Sequence, residues 1–415
     1  MKRFTPTNLL CVCVLALLFV GGGSMLFGEF FAEKAPQETA QTIDWRALYP
    51  FDTPAPEQAQ APAREQTVLD RIASFQARLD GSRDYLLGRQ RLLELCGAFR
   101  RATFQTKTDE IVLLNNGYLT TIVEQTDAQT QSQIAQSVVR FADATEKAGI
   151  PLLYVQVPQK VCQYDDQMPP GELSYINQNL DRHLALLEAG GVDTLDLRQA
   201  LHADGLSHYG LYFRTDHHWT MAAGLWAART VAGAVSERGF ALDTSLLSAE
   251  NFSETTLPNR YLGTQGRKVT RGYISPDEFT LVLPDFETEL RVEHPDKVVD
   301  VQGSFSDVMF DREMLSETDY YAASLYEAVL CGNRPLTRIT NLQNPDGPRV
   351  LLIHDSYSTV VAPYLSLLCS RLDMIDVRQA NGNFDGSLDA YRDELRPDIV
   401  IVMFCSPVNI DRSGG

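Results

Sequence analysis

Apolar residues recur along this chain in two alternating rhythms, and the alternation predicts the fold class. In "QSQIAQSVVRFADATEKAG" they return every three or four positions, the period of an amphipathic helix, and Gly149 supplies the stop. "IPLLYVQVP" follows as an almost unbroken apolar run, the mark of a strand covered on both faces. The cycle repeats with "ELSYINQNLDRHLALLEAGG" as a helix, "VDTLDL" as a strand and "TMAAGLWAARTVAGAVSERG" as a helix capped by Thr220. Near the C-terminus "PRVLLIHD", "DMIDVR" and "DIVIVMFCS" read as strands, and "SYSTVVAPYLSLLCSRL" and "LDAYRDELRP" as helices. This alternation predicts an α/β fold with a parallel sheet between two helical layers.

Two regions follow other patterns. Residues 245–345 look β-rich and irregular, which predicts an insertion or lid. Upstream, "TVLDRIASFQARLDGSRDYLLGRQRLLELCGAF" has helical spacing, and "DEIVLLNNGYLTTIV" alternates around Asn-Asn-Gly as a hairpin does. No internal repeat is present, so residues 67–412 are expected to form one domain carrying that insertion.

The N-terminus changes the picture of where this domain works. Lys2 and Arg3 precede a run without charge from Phe4 to Gly28. About 20 apolar residues span a bilayer, and the flanking positive charges predict a cytoplasmic end with the remainder exported. Residues 1–28 therefore read as a cytoplasmic stub and transmembrane anchor of a single-pass cell-membrane protein. A cleaved signal peptide is the rival reading, but no small-x-small cleavage site directly follows the apolar run. Residues 29–66, rich in Pro, Ala, Gln and acids, read as a flexible linker.

Composition then excludes some partners. A net charge of −18 over 415 residues supplies no basic patch for nucleic acid or anionic lipid headgroups. Hydrophobic residues at 44% are enough for a sizeable core. Five cysteines lie beyond the anchor, an odd number without a CxxC, so neither a disulfide framework nor a zinc ribbon is expected and buried thiols are.

Two short stretches could carry chemistry. In "RVLLIHDSYS" a strand ends at Ile353 and a helix is expected to start just after Ser356. The C-terminal rim of a parallel sheet is where α/β folds place ligands, and N–H groups at a helix start suit the oxyanion formed when a serine attacks an acyl group. The competing reading makes Asp355 or Ser356 a simple helix cap. In "RTDHHWT", an extended backbone would turn Asp216 and His218 to one face and His217 to the other. Asp216 could then hold His218 Nδ1 and leave Nε2 as a base. Asp216, His218 and Ser356 thus make a candidate orienter, base and nucleophile. A zinc site built from His202, His208, His217, His218, Asp216, His354 and Asp355 is the rival, but the HExxH spacing is missing and histidines on opposite faces chelate poorly.

Taken together, these stretches resemble the DHHW protein family and the related alginate O-acetylation proteins, whose domains are SGNH-hydrolase-like. "YVQVPQKVCQYDDQMP", "LYFRTDHHWT", "RYLGTQGRKV", "LCGNRPLTRITN" and "LLIHDSYSTVVAPYLS" carry the likeness in order, over about residues 100 to 410. It implies a flavodoxin-like three-layer α/β/α domain, with Ser356 as nucleophile and Asp216 and His218 as the other half of the site. It also implies O-acetyltransferase or O-acetylesterase activity on a cell-envelope or secreted polysaccharide, with a glycan acceptor, a membrane-bound acyltransferase as partner and no cofactor. Gly263 is the candidate for a second oxyanion N–H. Asp355, His217, Lys160, Tyr164 and Arg378 are candidates for the oxyanion or substrate. Two departures stand out: His354 replaces the glycine of the Gly-Asp-Ser motif, and the usual Asp-x-x-His near the C-terminus is missing. A non-catalytic envelope-assembly or carbohydrate-binding role is the alternative.

Overall fold

The computed structural model describes residues 89–295, 299–322, 324–378 and 387–410. The expected anchor and linker, residues 1–66, lie outside them, as does most of the helical pattern before residue 89. Among the described residues no helix is long and apolar enough to cross a membrane.

The chain enters through helix α1 (Arg89–Ala102) and a small antiparallel sheet of β1 (Lys107–Thr108), β2 (Ile111–Leu113) and β3 (Leu119–Thr121). The hairpin read from Asn-Asn-Gly is the β2–β3 pair, turned by Gly117 at φ +87°. Next come α2 (Ala128–Lys147), β4 (Leu152–Gln156), α3 (Ile176–Ala189), β5 (Thr194–Asp196), α4 (Leu197–Ala203) and α5 (Met221–Glu237). Asp127 caps α2 by accepting from the N–H groups of Gln129 and Thr130, and Thr220 caps α5 by accepting from Ala223 N–H at 3.3 Å. The middle of the chain holds β6 (Phe252–Tyr261), α6 (Thr264–Val269), β7 (Asp277–Pro284), β8 (Leu290–His294), β9 (Val299–Gly303), α7 (Phe305–Val308) and α8 (Arg312–Ser316). It closes with β10 (Leu336–Asn341), β11 (Arg349–His354), α9 (Ala362–Ser366), β12 (Arg371–Ile375), α10 (Leu388–Leu395) and β13 (Ile399–Phe404).

Eight strands form the main sheet in the order β5-β4-β13-β11-β12-β10-β8-β9. The first five run parallel, and β10, β8 and β9 continue the sheet antiparallel. The parallel strands alternate between two packed faces, as a period of two requires. Tyr154, Leu351, Ile353, Val400 and Val402 face Val138, Phe141, Leu184 and Leu187 of α2 and α3. Leu153, Val155, Leu352, Ile401 and Met403 face Ala227, Ala228 and Val231 of α5. Burial on both sides is why these strands read as continuous apolar runs.

In chain order the parallel strands lie across the sheet as 2-1-5-3-4. Counted from β11, then β12, β13, β4 and β5, they lie as 2-1-3-4-5, the flavodoxin order. The connectivity is thus that order with its beginning moved to the middle of the chain. The segment after β5, which holds Asp216 and His218, here precedes β11 in the chain.

Three expectations need correction. Residues 245–345 are not wholly an insertion or lid: β8, β9 and β10 belong to the main sheet, and β6 and β7 stand as a two-stranded ribbon of their own. Alternation in one strand cannot reveal which sheet its edge will join. The long helix expected from Ser356 onward is a 3₁₀ turn over Ser356–Val360 followed by the short α9. Pro363, one position inside α9, cannot donate into an earlier turn, so the helix begins afresh there. Among the described residues the five cysteines are free thiols, but of these only Cys162 and Cys369 are buried; Cys96 is exposed.

Helix α5 packs against the serine turn through Gly224, where any Cβ would run into the Val360 carbonyl. Gly224→Ala is therefore expected to lower unfolding free energy by about 1–3 kcal/mol. A denaturant midpoint equal to the parent's would show that this packing is looser than described.

Candidate active site

The site is built on two loops that the permuted order brings to one rim of the sheet. At the end of β11 the chain turns through Asp355, which is 1% exposed. Its carboxylate accepts from Tyr357 N–H at 3.0 Å and from Cys405 N–H, just past β13, at 2.7 Å. Both oxygens are thus used to tie the ends of neighbouring strands together. Asp355 acts as a clamp between the two strand ends. It leaves Ser356 partly exposed at the rim, between β11 and β13 where the strand order reverses.

The second loop folds back on itself: Phe213 N–H donates to His218 O at 3.3 Å and Thr220 N–H to Leu211 O at 2.8 Å. Asp277 at the start of β7 fastens it, accepting from Thr215 N–H at 2.8 Å and Thr215 Oγ1 at 2.7 Å. Lys160, 2% exposed, lies beneath; its Nζ donates to Leu119 O at 2.8 Å and to Asp216 O. Burial pushes the Lys160 amine down to about 7, against the opposing pull of Asp216 and Asp277. Lys160 is thus a strut under the loop, without access to a substrate.

From this loop Asp216 and His218 reach the serine. His218 Nδ1 lies 2.7 Å from Asp216 Oδ1, and His218 Nε2 lies 2.8 Å from Ser356 Oγ. A buried carboxylate can only accept, so Nδ1 carries the proton and Nε2 is left to accept from the serine hydroxyl. Burial alone would raise the Asp216 carboxyl. The facing His218 and His217 rings and the N–H of His218 outweigh it and hold Asp216 well below the usual carboxylate range. Thr264 N–H donates to the other oxygen at 2.5 Å.

The loops are laced to each other beyond that contact. Trp219 Nε1 donates to Tyr357 O at 2.9 Å, and Tyr357 OH to His217 O at 2.6 Å. Tyr326 stacks on His218, ring centroids 4.0 Å apart and 10° from parallel, and its hydroxyl donates to Ser356 O at 2.9 Å. Neither Tyr326 nor Tyr357 is among the candidates the sequence offers. Tyr357 lies inside the quoted "RVLLIHDSYS", but Tyr326 sits in the irregular middle region with no periodic signal around it.

Other candidates fall elsewhere. Gly263 N–H donates to Thr215 Oγ1 at 2.9 Å, so it is not a free oxyanion donor. A Cβ at Gly263 would collide with Asp216, and the glycine serves to let the chain pass there. His217 does not point away from His218: the bent backbone sets their rings 3.8 Å apart and puts His217 Nδ1 3.3 Å from Asp216 Oδ1. Burial and the neighbouring His218 push the His217 imidazole down to about 4. Arg378 forks onto Asp376 at 3.0 and 2.9 Å past β12, near enough for its charge to act on His217 and Asp355. Tyr164 lies on the loop after β4, stacked on His202. His354 is buried, its Nδ1 2.7 Å from Asp355 O.

Among the described residues, Asp216, His217 and His218 form the one group of His, Cys and acidic side chains close enough to share an ion. The two imidazoles thus lie together, not on the opposite faces that the spacing predicts. A cation there would compete with His218 Nδ1–H for Asp216 Oδ1, which that ring holds at 2.7 Å.

Residues 118–273 match the family model of the SGNH hydrolase-like domain, acetyltransferase AlgX. The SGNH-like match contains Asp216 and His218 and ends before Ser356. Among solved structures, PatB1 of Bacillus cereus with a sulfonyl adduct is similar at a TM-score of 0.59 and 15% identity, over 74% of this chain and 97% of that one. A DHHW family protein from Eubacterium siraeum is similar at a TM-score of 0.56 and 16% identity, over 74% of this chain and 94% of that one. At these identities the likeness is one of fold, and it agrees with the resemblance carried by the two quoted stretches. No curated protein matches the chain.

Lys160→Met leaves two buried carbonyls without their donor, which costs about 1–3 kcal/mol for each group. The Lys160 amine is depressed in the folded state, so above about 7 the unfolded chain binds the extra proton. Stability from this group therefore rises with pH, from about 7 toward the ordinary lysine range, and falls as pH drops through 7. Chemical denaturation from pH 6 to 9 should show the parent gaining stability relative to Lys160→Met as pH rises; a constant difference would contradict it.

Proposed function

We propose that this protein is a membrane-anchored, extracytoplasmic SGNH-like acyltransferase that moves acetyl groups on a cell-envelope or secreted polysaccharide. The reading rests above all on one observation: a hydrogen-bonded line runs from Asp216 through His218 to Ser356, at 2.7 and 2.8 Å, the second bond joining residues 138 apart in sequence. The acetyltransferase family model and the shared fold support the choice of acyl group. The N-terminal apolar run supports the location.

In this mechanism Ser356 Oγ attacks the acyl carbonyl while its proton passes to His218 Nε2. Asp216 stabilises the imidazolium formed, and the Ser356 N–H binds the oxyanion. The C–O or C–S bond to the donor breaks, His218 returns the proton to the leaving group, and acyl-Ser356 remains. A glycan hydroxyl then gives its proton to His218 and attacks the acyl carbon; the bond from that carbon to Ser356 Oγ breaks, His218 returns the proton to Oγ, and the acetylated glycan leaves, while water in its place gives hydrolysis.

A serine-directed phosphonylating probe should label Ser356 in the parent and fail to label His218→Ala. Asp216→Asn should lower acyl-transfer kcat by about 10²–10⁴. Labelling that is independent of His218, or polysaccharide acetylation in cells that persists undiminished with Ser356→Ala, would favour the non-catalytic role.

A further inference from the structure

A cavity of ≈ 300 Å³ opens on the same rim as Ser356, between the loop after β4 and the loop beyond α4. Tyr164 and His202 are among its lining, the two rings stacked with centroids 3.9 Å apart and 12° from parallel. The imidazole covers one face of Tyr164, yet the residue is 48% exposed. An aromatic ring propped on its back by a second ring presents a rigid, flat, electron-rich face. Asn177 lines the cavity too; its Nδ2 donates to Val161 O at 3.0 Å, while its Oδ1 is buried and has no partner. A buried acceptor left orphaned calls for a donor from a ligand or water.

Charge narrows the ligand. Arg198 is the only arginine or lysine among the described residues lining the cavity, and it is taken by Asp196 and Asp181, each at 2.8 Å. Asp165 adds an acid at the wall. No free cation awaits a carboxylate or phosphate, while a flat aromatic face beside hydrogen-bond acceptors suits the C–H face and hydroxyl donors of an uncharged sugar ring.

The cavity is also joined to the serine turn. Gln159 of its wall donates to Cys405 O at 2.7 Å and Ser406 Oγ at 3.0 Å, and Cys405 N–H donates to Asp355. Only β13 lies between β4 and β11, so two strand spacings, about 10 Å, separate the two loops. We infer that the Tyr164–His202 cavity is an acceptor subsite holding a neutral sugar ring of the glycan, beside the ring that presents its hydroxyl to Ser356. The inference rests on the acyl-transfer reading for its purpose.

Calorimetric titration of the full-length chain tests it, with cellopentaose, chitopentaose and mannopentaose as neutral probes and a pentameric galacturonate as the acidic one. At least one neutral probe should bind, Tyr164→Ala should weaken it by about tenfold or more, and Tyr164→Phe, which keeps the ring, should bind within about threefold of the parent. Binding of no neutral probe, preference for the galacturonate, or an unchanged affinity in Tyr164→Ala overturns the subsite. The titration reads no turnover, so it is independent of Ser356 labelling: sugar binding without labelling would fail the acyl-transfer reading alone, and labelling without sugar binding would fail the subsite alone.

Discussion

The site depends on keeping one charge, the Asp216 carboxylate, away from water. A carboxylate that is fully buried is costly unless every lone pair finds a donor. Here the donors are the His218 ring and N–H and the Thr264 N–H, while Lys160 holds the Asp216 carbonyl from below. Satisfying the carboxylate in this way fixes the imidazole: only one tautomer and one ring orientation complete the set. Much nearby architecture follows from that demand. Gly263 lacks a side chain because Asp216 needs the space, and Asp277 bonds Thr215 so that the loop cannot swing its acid outward.

The serine half is held by different means. Asp355 spends both oxygens joining the ends of β11 and β13, and Tyr326, Trp219 and Tyr357 bond the serine turn to the histidine loop. The permuted strand order makes this meeting possible. It places the segment after β5 and the turn after β11 at one end of a single parallel sheet, where strand C-termini gather ligand-binding loops. The chain order Asp–His–Ser follows from β5 and its loop preceding β11 in the chain.

Much of this was legible in the sequence because it depended on local signals. Apolar runs named β4, β11 and β13, helical spacing named α2, α3 and α5, and the two polar stretches interrupting them named Asp216, His218 and Ser356. What failed was set by tertiary contacts. A bent loop, which alternation along an extended strand could not anticipate, put His217 beside His218. The N–H of Gly263 went to Thr215, a contact without sequence proximity. Tyr326 reached the imidazole from a region with no period, and β8, β9 and β10 found an existing sheet edge to extend. Lys160 could be flagged by position, but its role as a buried strut needed the carbonyls above it.

The buried Asp216 carboxylate dictates which His218 nitrogen carries the proton. Nitrogen-15 NMR of the histidine-labelled full-length protein measures this directly. The neutral His218 imidazole is expected to be protonated at Nδ1 and bare at Nε2, with a far-downfield Nδ1 proton that disappears in Asp216→Ala. A neutral His218 protonated at Nε2, or a spectrum that does not change when Asp216 is removed, would contradict it.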